Sequence, residues 1–273
     1  MPGDSCPALF NSVKITEMAR TIAIVNQKGG VGKTTTAINL GASLALAGKD
    51  ILLIDTDPQG NSTSGLGIDR DEVGRSLYDA YAGRCATDDA VVQTSVQHLE
   101  VIPSSVDLLG VEVELVGREG RERILSQIIE EVKEKYKYIL IDCPPSLGLL
   151  CLNALVAADS VIVPVQCEYY ALEGLSLLTR TLQRVRNSFN SSLEIRGILL
   201  TMFDTRNSLA HQVAQEVKHH FAGKVFDTVI PRNVALAEAP SHGKPIMLYD
   251  ARSSGAQSYL SLAKEILNEN GSR

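Results

Sequence analysis

One short stretch limits the folds open to this chain more than any other: NQKGGVGKTTTAINL, Asn26 to Leu40, set directly after the apolar run TIAIVN at 21–26. A glycine-rich turn joining an apolar strand to a helix aims backbone N–H groups and the positive helix end at one point, a natural phosphate site. Gly29, Gly30 and Gly32 allow close backbone approach. Lys33 is placed to bridge the outer phosphates, Thr34 to ligate Mg²⁺ through its hydroxyl and Thr35 to add a phosphate contact. The standard loop, G-x-x-x-x-G-K-[ST], has a glycine five places before its Gly-Lys pair, and here that place holds Gln27. Lys28 follows, so the turn from Gln27 to Val31 carries a second cation that triphosphate binding alone does not need.

Five more runs carry a strand signature: ILLID (51–55), LEVIPS (99–104), YILID (138–142), SVIVPV (160–165) and IRGILLTM (195–202). TIAIVN, ILLID, YILID and SVIVPV are apolar almost throughout rather than alternating, as in strands covered on both faces, so a parallel sheet is predicted. Helices are predicted between them, among them Lys33–Ala47 with Gly48 as C-cap, and Glu119–Tyr136 from the spacing of Ile124, Ile128 and Ile129. The expected fold is α/β: a single-domain P-loop NTPase with a mostly parallel twisted sheet and helices on both faces. It spans 20–267, after a flexible arm at 1–19 and before a tail at 268–273.

Composition removes several classes. The 273 residues are 44% hydrophobic, enough for a full core. The stretch LGLLCLNALVAADSVIVPV is broken by Asn153, Asp159 and Pro164, short of the ~20 apolar residues that span a bilayer. No signal-peptide core stands in the first 19 residues, so a cytoplasmic protein is expected. Cysteines at 6, 85, 143, 151 and 167 fit neither disulfide nor zinc spacing and read as reduced thiols. Net charge is −6, yet Arg180–Arg252 holds ten Lys/Arg against six Asp/Glu, which leaves +4 there and −10 elsewhere. That asymmetry suits a polyanion-binding face in the last third.

Aspartates end two of the strands. Asp142, after four apolar residues, has the position of an acid that holds Mg²⁺ through a water. In LLIDTDPQGN, alternation puts Asp55 and Asp57 on one face, one to orient metal waters and the other the attacking water. Attack is assigned to Asp57, which lies further out and precedes the rigid turn PQGN.

Residues 26–40, with DTDPQGNSTSGLG, DCPPSLGLL, PVQCEYYALEGL and VIPRNVALAEAPSHGKPI, closely resemble the ParA/Soj family of partition ATPases, in the deviant P-loop class shared with MinD and the nitrogenase iron protein. The resemblance runs from about Arg20 to Leu267. It implies an ATP- and Mg²⁺-dependent ATPase of DNA segregation, whose ATP-bound sandwich homodimer binds double-stranded DNA non-specifically. Slow hydrolysis, stimulated by a ParB-type centromere-binding protein, then releases it, so the cytoplasmic protein is nucleoid-associated. The resemblance also implies that Lys28 crosses the dimer to the other subunit's phosphates, similar in logic to an arginine finger in trans. Pro231 is implied to pack on the adenine and Asn233 to hydrogen-bond near it. Arg206, in MFDTRN, matches one DNA-contacting arginine of the family; a second follows IPRNV there, where this chain has Ala235. Arg232, Lys244 and Arg252 are the substitutes, since phosphate contacts need charge in register rather than one fixed residue.

Two other classes compete. Membrane cycling of the MinD kind needs an amphipathic C-terminal helix with a basic face. SLAKEILNENGSR has few large apolar residues and its acids offset its bases, so no membrane partner is expected. An iron–sulfur reductase needs two cysteines per subunit at a dimer interface, and Cys143 and Cys151, though near the loop, stand outside that family's contexts.

Overall fold

The computed structural model describes residues 19–268. The expected arm, apart from Ala19, and the expected tail beyond Asn268 lie outside the described residues.

Seven strands form one sheet: β1 (Arg20–Ile24), β2 (Ile51–Asp55), β3 (Val92–Gln93), β4 (Leu99–Ile102), β5 (Tyr138–Asp142), β6 (Ser160–Gln166) and β7 (Glu194–Thr201). Their order is β3-β4-β2-β5-β1-β6-β7, parallel except for β3, which runs antiparallel to β4 at one edge. At the other edge the outer side of β7 meets Val225, and Pro231 bridges to Phe203 just beyond its end. The helices are α1 (Lys33–Leu46), α2 (Asn61–Gly65), α3 (Leu77–Tyr81), α4 (Leu108–Glu114), α5 (Ile124–Val132) and α6 (Leu149–Ala157). They continue with α7 (Ala171–Ser188), α8 (Ser208–His220), α9 (Val234–Glu238), α10 (Ile246–Tyr249) and α11 (Ser254–Asn268).

Why the strands carry no polar face is visible in the core, where alternate residues of one strand feed two separate clusters. Ala23, Leu52, Ile54, Ile139 and Ile141 pack with Leu77, Leu108, Leu125, Leu150, Leu175 and Val213, from α3 to α8. Ile22, Ile24, Ile51, Leu53 and Leu140 pack with Ile38 and Leu40 of α1, Leu236 of α9, Ile246 of α10 and Tyr259 and Ile266 of α11. Each such side chain contributes about 1.5–3 kcal/mol on burial, so both faces must be covered.

Gly48 ends α1 as its spacing predicts, with φ 74° and the paired closing bonds Gly48 N to Ala45 O (2.8 Å) and Lys49 N to Leu44 O (3.2 Å). Two expectations change. The helix expected over Glu119–Tyr136 is α only from Ile124 to Val132, between 3₁₀ turns at Arg121–Arg123 and Lys133–Lys135. Asn153 of α6 fixes its start, accepting from Leu125 N at 3.1 Å and donating to Arg121 O at 3.0 Å. Strand β3, only two residues long and not fully buried, lacks the apolar run that marks the others.

Candidate active site

The strand order brings three carboxyl ends together. β5 lies between β1 and β2, with Asp142 opposite Ile24 on one side and Asp55 on the other. The glycine loop leaves β1 at this point. Asn26 fixes its entry, with Nδ2 donating to Pro164 O at 2.7 Å and Oδ1 accepting from Lys28 N at 3.0 Å. Thr201, ending β7, fixes its exit by donating to Val31 O at 2.8 Å. Between these anchors Gly30 and Gly32 take φ of 72° and 89°, values that call for glycine. No side chain caps α1, so its first N–H groups remain available to an anion.

A cleft of about 630 Å³ opens over the loop, lined by Gly29, Gly30, Gly32, Lys33, Thr34, Thr35 and Asp57 on one side and by Met202, Pro231, Arg232 and Asn233 on the other. That volume suits a nucleotide-sized ligand. A larger hollow of about 780 Å³, bordered by Thr21, Asp50 and Asp159, sits at the opposite end of the sheet. Open α/β sheets bind ligands beyond the carboxyl ends of their strands, so the smaller cleft is the candidate.

The two lysines diverge. Lys33 is 7% exposed, donates to Lys28 O at 3.2 Å, and burial lowers its pKa from the ordinary value. An anion in the cleft would stabilise its charged form. Lys28 does not line the cleft; its Nζ pairs with Glu168 at 2.5 Å, both side chains about half exposed. Gln27 leaves its buried amide nitrogen without a partner.

The aspartates also differ. Asp55 and Asp142 are fully buried, and burial pushes both carboxyls above the ordinary carboxylate range, the charge of Asp55 adding to the shift at Asp142. Asp55 is engaged at both oxygens: Oδ2 accepts from Thr63 N (2.8 Å) and Oγ1 (2.7 Å), and Oδ1 from Asp57 N (3.2 Å). Asp142 accepts from Ser62 Oγ at 2.8 Å through Oδ2, while its buried Oδ1 has no hydrogen-bond partner. Thr34 draws its shift partly back without reaching bonding geometry. An unpartnered carboxylate oxygen in a dry site is costly, and a hydrated divalent cation would satisfy it, so these residues fit Mg²⁺. Asp57, 8% exposed on the cleft wall, is held through its backbone, Ser104 Oγ donating to its carbonyl at 2.6 Å, while its Oδ1 accepts from Gln59 N at 2.9 Å.

The remaining residues are spread more widely. Pro231 lines the cleft, whereas the Asn233 amide is engaged, capping α9 through Leu236 N (3.2 Å) and donating to Ser254 Oγ (2.9 Å). Arg206 is exposed, and its guanidinium is gripped by Asp204, with Nε to Oδ1 at 3.0 Å and an outer nitrogen to Oδ2 at 2.9 Å. This pairing holds the Asp204 carboxyl down at about 2. Arg232 is drawn beside that pair, its N–H donating to Phe203 O at 3.2 Å. Lys244 and Arg252 stand exposed on separate loops, and Ala235 packs partly buried against the core. Sequence reasoning missed Ser62, Thr63, Ser104, Thr201 and Glu168. Only Ser62 and Thr63 had a signal, in the PQGNST run after Asp57.

Comparison with known proteins adds relatives over almost the whole length. A family model described as an AAA domain matches residues 19–195. The sporulation initiation inhibitor protein Soj of Bacillus subtilis is 58% identical over 249 residues, 91% of this chain and 98% of that protein. A chromosome-partitioning ATPase Soj from Treponema pallidum is 56% identical over 256 residues, 94% of this chain and 100% of the other. Among solved structures, a cobyrinic acid a,c-diamide synthase from Mycobacterium smegmatis with bound ADP and magnesium superposes with a TM-score of 0.83 at 36% identity, covering 93% of this chain and 96% of that one.

Proposed function

The chain belongs to the Soj/ParA family of chromosome-partitioning ATPases, and from that membership and the site geometry we propose a nucleotide-switched DNA carrier. It is an ATPase that uses ATP and Mg²⁺ in DNA segregation. In the proposed cycle an ATP-bound sandwich homodimer holds double-stranded DNA without sequence preference. Hydrolysis, stimulated by a ParB-type centromere-binding protein, then returns it to monomers, so that the cytoplasmic protein is associated with the nucleoid while ATP is bound.

The single observation that carries this reading is the split between the lysines: Lys33 is buried in its own cleft, while Lys28 stands outside it on a charged tether to Glu168. A cation that does not serve its own site is available to a neighbour's. Within the cleft, the loop amides and Lys33 hold the triphosphate, Thr34 and Asp142 hold Mg²⁺, and Asp57 orients the attacking water and accepts its proton. Bound Mg²⁺ supplies Lewis-acid neutralisation of phosphate charge. Asp55, its Oδ2 held by Thr63, keeps an acceptor site on Oδ1 to orient a water of the metal. Pro231 borders the base, with Asn233 shaping that wall through its cap. The MinD-like reading is weaker because the apolar face of α11, with Tyr259, Leu262 and Ile266, is already used in the core. No helix among the described residues is long and apolar enough to cross a membrane.

The reading is tested by retention on long duplex DNA with ATP, ADP or no nucleotide. Binding is expected with ATP alone; equal binding in all three would remove the switch. Arg206, Arg232, Lys244 and Arg252 are the proposed phosphate contacts. Arg206→Glu should weaken binding to every sequence and lower the salt slope by about one per subunit. The grip of Asp204 on Arg206 adds an opposite expectation, that Asp204→Asn strengthens ATP-dependent binding by freeing the guanidinium. Unchanged affinity in both variants at low salt would take Arg206 off the interface.

A further inference from the structure

Beyond Asp57 itself, the turn that carries it is gripped from outside by an arginine. Asp57-Pro58-Gln59-Gly60 closes on itself, with Gly60 N donating to Asp57 O at 2.8 Å and Gln59 N to the Asp57 carboxylate at 2.9 Å. The Gly60 carbonyl accepts from Ser64 N at 3.0 Å. Arg70 takes the two central carbonyls, donating to Gln59 O at 2.6 Å and Pro58 O at 2.9 Å. The guanidinium also lies against Gly60, where φ is 65° and an added Cβ would stand 2.5 Å from Arg70 Nε. That Nε is buried and has no hydrogen-bond partner, so the side chain gives up solvation to keep this pose.

We propose that Arg70 is a positioning residue for hydrolysis, a clamp that fixes the turn presenting Asp57 to the attacking water. Two parallel N–H donors on a planar fork can hold two successive carbonyls at once, which a lysine ammonium does only loosely. Ser104 holds the Asp57 carbonyl and Arg70 the next two, so the backbone that carries the carboxylate is tied by two side chains. Removing the Arg70 support lets the turn rock, and misplacement of a reacting group by about 1 Å costs up to 100-fold in rate. The proposal rests on the reading of Asp57 as the residue that orients water.

The experiment compares wild type with Arg70→Ala, Arg70→Lys and Asp57→Ala for kcat, KM, affinity for a fluorescent ATP analogue and melting temperature, with and without added guanidinium ion. Arg70→Ala is expected to lose about 10-fold or more in kcat with unchanged nucleotide affinity, Arg70→Lys to fall between, and guanidinium to restore part of the rate to Arg70→Ala but none to Asp57→Ala. An inactive Asp57→Ala beside a full-rate Arg70→Ala overturns the clamp alone. Full turnover in Asp57→Ala overturns the reading of Asp57 and the clamp with it. A loss in Arg70→Ala that appears equally in nucleotide affinity and melting temperature, without rescue, makes Arg70 a fold residue and also overturns the proposal.

Discussion

Lys33→Ala should lose ATP affinity on the order of 100-fold or more, while Lys28→Ala should bind ATP as wild type does and fail at the next step. Lys33 is the buried cation of the cleft, and its loss would leave the phosphates without their lysine partner beside the backbone dipoles and Mg²⁺; truncating one side of a buried charge pair costs about 2–5 kcal/mol. Lys28 is half exposed and paired with Glu168, a contact of about 0–1 kcal/mol, so its loss leaves the fold and the nucleotide site intact. The net-acidic subunits close over two triphosphates in the proposed dimer, and a cation from each side must offset that charge. Light scattering with Mg²⁺ and ATP should therefore find monomers for both variants, while the fluorescent ATP analogue separates them. Normal dimers for Lys28→Ala, or equal loss of nucleotide affinity in both, would sink the trans role.

Asp57→Ala should keep ATP, the dimer and DNA, and lose turnover by about 100- to 10,000-fold, the range of a lost general base. The backbone of residue 57 keeps its bonds to Ser104 and Gly60 when the carboxylate, and with it the bond from Gln59 N, is removed, so the turn stays in place. Asp142 keeps its unpartnered oxygen for the proposed Mg²⁺. The variant should thus stop with ATP bound. Phosphate release at the wild-type rate would take the water-orienting role from Asp57.

Much of this architecture is readable in the chain itself. TIAIVN, ILLID, YILID and SVIVPV lack a polar face because each strand feeds two cores, and the parallel sheet follows from that one fact. The loop, Asp55 and Asp142 meet because their strands are neighbours, which motif order suggests and register fixes. What could not be read depends on contacts between distant positions. Asn153 trims α5 from 28 residues away, and Glu168 reaches Lys28 across 140. Asn233, read as bonding near a base, also caps α9, a role whose geometry only the folded chain creates. Asp55, read as an acid that orients metal waters because it ends a buried strand, is also held by Thr63 and the Asp57 N–H, contacts that the sequence does not display.

The blunt edges of the sheet bear on solubility. If copies gather along one polymer, their local concentration rises far above that in free solution, a setting in which an open strand edge would seed aggregation. One edge here offers only the two residues of β3, and the other is crossed by the bridges to Val225 and Pro231. Among the described residues neither gives an incoming strand a long unpaired ladder. Crowding of the molecules is therefore expected to favour contacts through side-chain surfaces over growth into irreversible β-structure.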